Sequence, residues 1–123
     1  MDSGKFSFKA RLESFRFAFR GLWLLLKNEH NSRIHLLAMI IAAGLGIFLK
    51  ISPSEWSLLI IVIGIVFLTE LLNSSLETLS DFVNPERNDQ IRKAKDYAAA
   101  AVLISAIIAL VTGGLIFIPK IFV

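Results

Sequence analysis

The sequence predicts an all-α integral membrane protein, in which an N-terminal amphipathic surface helix precedes three transmembrane helices. Of its 123 residues, 55% are hydrophobic and only 19% are charged, whereas soluble domains carry about 25% charged residues. The apolar residues are gathered into three long runs, and the segment before them is charged and periodic. Composition and patterning together favour a small protein that crosses the membrane three times.

Several functional classes are excluded by what the sequence lacks. With no cysteine, the chain has no disulfide scaffold, thiolate metal site or cysteine nucleophile. Its net charge of +3 is too small to indicate a nucleic-acid partner. The sequence contains no Walker A loop, serine nucleophile elbow or zinc-protease motif, so carboxylates, an asparagine and a few basic groups remain for chemistry.

The N-terminal segment, at about residues 5–27, is predicted to be a helix that lies in the membrane interface. Charged residues recur there at spacings of three and four, as do apolar ones, and two such stripes side by side are typical of interfacial helices. The charged stripe comprises Lys5, Lys9, Glu13, Arg16 and Arg20, and the apolar stripe comprises Phe8, Leu12, Phe15, Phe19 and Leu22. Arg11 lies off the basic stripe. The alternative, a core-facing helix of a soluble domain, is disfavoured by the apolar runs that follow.

Three transmembrane helices are predicted at about residues 32–50, 55–81 and 95–118. A transmembrane helix needs about 20 mostly apolar residues. The apolar runs at 56–72 and 97–118 come close to or exceed this length, while the run at 34–49 reaches it only with its flanks. We interpret the whole chain, residues 1–123, as one membrane domain.

The distribution of basic residues predicts that the N-terminus faces the cytoplasm. Seven lysine and arginine residues precede the first span and four lie at residues 81–96, whereas the other loop and the C-terminal tail have one each. Because basic loops remain on the cytoplasmic side, the N-terminus and the second loop are expected there. The sequence at 84–89, Asn-Pro-Glu-Arg-Asn-Asp, indicates that a helix ends and another begins.

A polar stripe at the end of the second span is the strongest functional signal. If the helix continues through residues 70–81, Glu70, Asn73, Glu77 and Asp81 project within an arc of roughly 80°. Like charges at this spacing repel unless a cation lies between them, and Mg²⁺ prefers such oxygen ligands. The alternative is the solvated end of a long helix, which explains Asp81 well and Glu70 poorly, because ionisable groups are costly in a membrane helix.

Other polar residues are expected on the same side of the membrane. Glu29 precedes the first span, and Lys95 and Asp96 precede the third. Each also has an ordinary interpretation, because polar groups commonly cap helices and anchor them at the interface. His30 and His35 do not share a helix face, so they form no convincing metal pair.

The segment at residues 70–81 closely resembles the signature of the prokaryotic diacylglycerol kinase family, which includes the undecaprenol kinases of Gram-positive bacteria. It reads Glu-Leu-Leu-Asn-Ser-Ser-Leu-Glu-Thr-Leu-Ser-Asp. Supporting matches are Asn28, Glu29, Arg33, His35, Ala94, Lys95, Asp96 and the alanines at 98–101. Ser80 stands where the family usually has an aliphatic residue, and we expect it to point away from the carboxylates. Ala10 stands near a position where the family tends to have arginine, with Lys9 and Arg11 on either side.

The resemblance implies an ATP-dependent lipid kinase of the bacterial inner membrane, assembled as a homotrimer with sites shared between subunits. Glu70 would accept the proton of the lipid hydroxyl, and Asn73 would orient this base or a phosphate oxygen. The other implied contacts are Mg²⁺ at Glu29 and Glu77, phosphate at Lys95, the nucleotide at Asp96 and Glu86, and the lipid at Arg11 and Glu70.

Three functions are considered on this basis. The first is phosphorylation of diacylglycerol to phosphatidic acid, with undecaprenol as the alternative acceptor, since generic apolar side chains do not distinguish the two lipids. A small proton-coupled multidrug exporter would also use a lone intramembrane glutamate, but it would not need the other polar residues. A non-catalytic membrane subunit would leave the carboxylate stripe as a solvated helix end.

Overall fold

Four α-helices make up the chain in the computed structural model, which describes residues 7–83 and 88–122. They are α1 (Phe8–Asn28), α2 (His30–Phe48), α3 (Pro53–Val83) and α4 (Asp89–Ile121). Helices α2, α3 and α4 are each long and apolar enough to cross a membrane. The predicted helices are therefore present, and three of them have the properties of transmembrane spans.

The helices are longer than the apolar segments that predicted them. Helix α4 begins at Asp89, ahead of the span predicted at about 95–118 and where the sequence at 84–89 indicates a new helix. The side chain of Asn88 caps it by accepting hydrogen bonds from the backbone N–H groups of Gln90 and Ile91. Helix α3 continues without interruption to Val83, which confirms the predicted helical continuation through residues 70–81.

The junction of α1 and α2 is closed by the side chain of Arg33. Its guanidinium group donates hydrogen bonds to the carbonyl oxygens of Leu26 (2.8 Å) and Lys27 (2.6 Å), which lie in the last turn of α1. These carbonyls have no partner within their own helix, so Arg33 of α2 caps α1. The start of α2 is thereby tied to the end of α1.

A tight turn joins α2 to α3 at the opposite end of the bundle. The N–H of Ile51 donates to the carbonyl of Gly46 across a left-handed Lys50 (φ 52°), a pattern that ends many helices. Ser52 then caps α3 reciprocally with Glu55, because each side chain accepts the backbone N–H of the other residue. We call this the turn end, and we call the end where α2 begins, α3 ends and α4 begins the motif end.

Helices α3 and α4 form a long antiparallel pair that three side-chain contacts connect along its length. The contacts occur at the turn end, near the middle and at the motif end, so they fix the pair both in register and in rotation. They are Glu55 to Lys120 (3.1 Å), Thr69 to Ser105 (2.8 Å) and Asp81 to Lys95 (2.7 Å).

A glycine allows close packing near the turn end. A Cβ atom added at Gly46 would lie 2.8 and 2.9 Å from two ring carbons of Trp56 and 3.1 Å from the Ile51 side chain. The indole ring therefore lies directly against the backbone of α2. Next to it is the main buried apolar cluster, formed by Ile51, Leu59, Ile116 and Phe117.

Substitution Gly46→Ala is expected to destabilise the protein by about 1–3 kcal/mol, because the new methyl group displaces the indole ring of Trp56. Thermal unfolding in detergent, followed by circular dichroism, would detect this as a lower midpoint. Gly44→Ala is the matched control, since an added Cβ there meets nothing within 4 Å and alanine favours a helix. Equal midpoints for the two variants would contradict the packing role of Gly46.

Candidate functional site

Glu70 lies where the packed face of α3 changes from apolar to polar. At 100° per residue, Leu59, Val62, Val66 and Glu70 share one side of the helix, and all four are buried. Only 3% of Glu70 is exposed. The predicted carboxylate stripe is thus the continuation, toward the motif end, of the face with which α3 packs against its neighbours.

Two further side chains on this face are half-buried, and each has one fully buried polar atom. The Oδ1 atom of Asn73 and the Oγ atom of Ser74 have no hydrogen-bond partner among the described residues. Glu77, one turn further, is half-buried. Because buried polar atoms in proteins almost always have partners, the face has unused capacity to bind a polar ligand.

His35 of α2 approaches Glu70 from the opposite side of the gap between α2 and α3. Its Nε2 atom lies 3.2 Å from Oε1 of Glu70, and 24% of the imidazole side chain is exposed. This is hydrogen-bonding distance, but the ring N–H is not aligned with the oxygen closely enough to form the bond. Sequence reasoning did not identify this contact, although His35 is the one ionisable residue of the first apolar run.

Because α2 and α3 are antiparallel, polar residues of the two helices lie opposite each other in successive turns, and we call each such turn a level. One turn nearer the motif end than His35 lies Ser32, which is fully buried and whose hydroxyl has no partner among the described residues. On α3, Asn73 lies one turn nearer the motif end than Glu70. A serine hydroxyl and an amide therefore follow the imidazole and the carboxylate at the next level.

Glu29 and Glu77 occupy the level beyond that. The negative charges of both act on the carboxylate of Glu70, which places three acidic groups in one electrostatic neighbourhood. Within residues 7–83 and 88–122 no group of three or more histidine, aspartate or glutamate side chains is arranged to hold a metal ion. Among these residues, a cation here would therefore have at most two carboxylates as ligands.

Lys95 is held at the edge of the site by an ion pair. Its ammonium group lies 2.7 Å from Asp81, and Glu77 also attracts it. Asp81, the last residue of the predicted stripe, is therefore paired with a cation of α4.

Some predicted site residues do not join this cluster. Asp96 is exposed on α4, where it points about 100° away from Lys95, and Arg11 is exposed on α1. Glu86 lies outside the described residues. Ser80 was expected to point away from the carboxylates, but it is 7% exposed and belongs to the packed side of α3, because it lies only 20° from Asn73 on the helix.

An apolar cavity of about 730 Å³ extends from His35 between α2, α3 and α4 toward the turn end. Its walls contain several small residues, which leave room between the helices. Among the lining residues are Ala38, Ala42, Val66, Ala109, Gly113 and Phe117. The cavity, whose walls suit a hydrocarbon chain, therefore reaches the imidazole that faces Glu70, although Glu70 itself does not line it.

Comparisons with known proteins identify a family and several relatives. Residues 16–117 match the model of the family described as prokaryotic diacylglycerol kinase. The chain is similar to the undecaprenol kinase of Bacillus subtilis, with 35% identity over 108 residues that cover 88% of each protein. It is also similar to the diacylglycerol kinases of Synechocystis sp. (36% identity, 88% of this chain and 62% of the relative) and Haemophilus influenzae (34% identity, 86% and 91%).

Proposed function

Because the chain belongs to the prokaryotic diacylglycerol kinase family, we propose that it transfers the γ-phosphoryl group of ATP to the primary hydroxyl of a membrane lipid. The acceptor that we favour is diacylglycerol, which would become phosphatidic acid, and the alternative is undecaprenol. Relatives named for each lipid have nearly equal identity to the chain, so their names do not decide between them. Family membership removes the support for an exporter.

The observation that carries the proposal is the position of Glu70. A carboxylate that is 3% exposed and faces His35, which lines the apolar cavity, can meet a hydroxyl whose hydrocarbon chain lies in that cavity. As the hydroxyl oxygen attacks the γ-phosphorus, its proton passes to Glu70, the bond to the bridging oxygen breaks and ADP leaves. Phosphoryl transfer asks the protein mainly for such positioning and for neutralisation of charge.

We assign Mg²⁺ to Glu29 and Glu77. Their oxygen atoms are the ligands that Mg²⁺ prefers, and this ion usually keeps several waters and takes one or two carboxylates together with substrate phosphates. The pair formed by Glu29 and Glu77 fits this preference for one or two carboxylates. When bound, the ion would neutralise charge on the β- and γ-phosphates.

The other predicted contacts surround this centre. Asn73, whose buried Oδ1 has no partner among the described residues, would orient Glu70 or the phosphate. Lys95 would leave Asp81 to neutralise the phosphate. We propose that Asp96 and Glu86 contact the nucleotide and that Arg11 contacts the lipid head group.

A homotrimer with shared sites would complete the arrangement. Asp96 points away from the α3–α4 contact, so it would serve the site of a neighbouring copy. The alanines at 99–101 beside it are exposed on the isolated chain, and small residues allow membrane helices to pack closely. We place the protein in the bacterial inner membrane with its N-terminus in the cytoplasm and α1 in the interface as an amphipathic helix.

Purified protein supplied with Mg²⁺ and labelled ATP in mixed micelles is expected to phosphorylate a lipid alcohol. Diacylglycerol and undecaprenol would be compared at equal surface concentration, and the labelled products separated by thin-layer chromatography. A higher kcat/KM for diacylglycerol would support our choice, and a higher value for undecaprenol would select the alternative. The absence of label in every lipid alcohol, with proton-driven drug efflux in vesicles, would overturn the kinase assignment.

A further inference from the structure

The imidazole that faces Glu70 has no role in the function as proposed so far. We propose that His35 is a positioning residue for Glu70: it holds one carboxylate oxygen so that the other is left for the acceptor hydroxyl. The inference rests on the proposed function, because His35 would act only through the base.

The contact itself is the first support. Nε2 of His35 lies 3.2 Å from Oε1 of Glu70, which is hydrogen-bonding distance. Catalytic hydrogen bonds are often long or poorly aligned before substrate binds and shorten in the reactive complex. The pair therefore has the geometry of a positioning contact in its unliganded form.

The charges around Glu70 make a partner necessary. Its carboxylate is buried, and the negative charges of Glu29 and Glu77 act on it unfavourably while His35 acts favourably. Carboxylates within membrane helices are costly and commonly pair with another polar group. His35 is the side chain in contact with Glu70 that provides this interaction.

The neighbouring structure fixes where His35 lies. Arg33, two residues before it, binds the last carbonyls of α1. Residues two apart on a helix point about 200° away from each other, so Arg33 is directed to α1 while His35 is directed to α3. The junction with α1 thus fixes the rotation of α2 that directs the imidazole to α3.

Positioning has a measurable value for a general base. A glutamate side chain has three rotatable bonds, and misplacement of a reacting group by about 1 Å can reduce the rate by about 100-fold. Loss of the His35 contact is therefore expected to lower kcat with little change in KM for ATP. A role limited to packing would instead lower stability and leave the chemical step unchanged.

Three variants test the proposal in the phosphorylation assay described above. His35→Leu removes the N–H at similar volume and is expected to lower kcat by about 10- to 100-fold, with KM for Mg·ATP within twofold of wild type. His35→Gln places an amide N–H near the position of Nε2 and is expected to restore kcat to within about threefold of wild type. His30→Gln is the matched control, because His30 is exposed at the start of the same helix, and should behave as wild type.

A fourth comparison tests whether His35 acts through Glu70. In the Glu70→Asp variant the shortened carboxylate no longer reaches the imidazole, so adding His35→Leu should cause no further loss of kcat. A further loss as large as in the wild-type background would overturn the proposal, as would wild-type kcat in His35→Leu or failure of His35→Gln to restore it. If His35→Leu does not fold, His35→Asn, whose amide is too short to reach Glu70, takes its place with the same expected loss. Wild-type protein without activity on any lipid would instead reject the proposed function.

Discussion

Substitution Glu70→Gln is expected to reduce lipid phosphorylation by about 10²- to 10⁴-fold, because the variant lacks the group that receives the proton of the acceptor hydroxyl. Glutamine has nearly the same shape and can still interact with His35, so the fold should be retained. Initial rates with labelled ATP at saturating lipid would measure the loss. Because the proton is transferred in the chemical step, the loss should appear in kcat, with KM for Mg·ATP nearly unchanged.

A matched control lies on the same helix. Glu55→Gln makes the identical chemical change at the turn end, where Glu55 caps α3 and contacts Lys120, and it should retain activity. Thermal unfolding of both variants would show that they are folded. Activity of Glu70→Gln within threefold of wild type would remove Glu70 from the role of base and, with it, the role proposed for His35.

Glu77→Gln is expected to lower activity by about 100-fold at ordinary Mg²⁺ concentration, and the loss should diminish as Mg²⁺ is raised. The variant leaves Glu29 as the one carboxylate of the proposed pair, so affinity for the cation falls while the base remains intact. Rates measured over a range of Mg²⁺ at fixed Mg·ATP would show the half-saturating concentration moving upward.

Glu70→Gln provides the comparison for this experiment, since raised Mg²⁺ should not restore a missing base. The two carboxylates are thereby separated by their response to one titration. A loss in Glu77→Gln that is independent of Mg²⁺ would contradict the assignment of Glu77 as a metal ligand and favour a contact with the nucleotide or with Lys95.

Hydropathy predicted the helices but not their full lengths. An apolar run identifies the part of a helix that suits the membrane interior, and helix formation does not require apolar residues. Helix α4 therefore begins at Asp89, because the side-chain cap provided by Asn88 determines where the helix starts. The continuation of α3 beyond Leu72 was predictable, because Glu70, Asn73, Glu77 and Asp81 follow a helical spacing.

The part of the site that lies on one helix could be predicted from the sequence, whereas the contacts between two helices could not. The spacing along α3 is sufficient to place Glu70 beside Asn73. The contact with His35 depends on the register between α2 and α3, which the turn at Lys50 and the packing of Trp56 on Gly46 determine. The hydrogen bond between Thr69 and Ser105 could not be predicted either, because the two residues lie far apart in the sequence.

The three contacts along α3 and α4 join these helices at both ends and near the middle. Sliding or turning α3 against α4 would break several of them at once, so these contacts oppose relative movement along the whole pair. Arg33 couples α2 to α1, and the turn at Lys50 with the packing of Trp56 on Gly46 couples α2 to α3. A displacement of α1 would therefore act through Arg33 on α2, and so on the contact between His35 and Glu70.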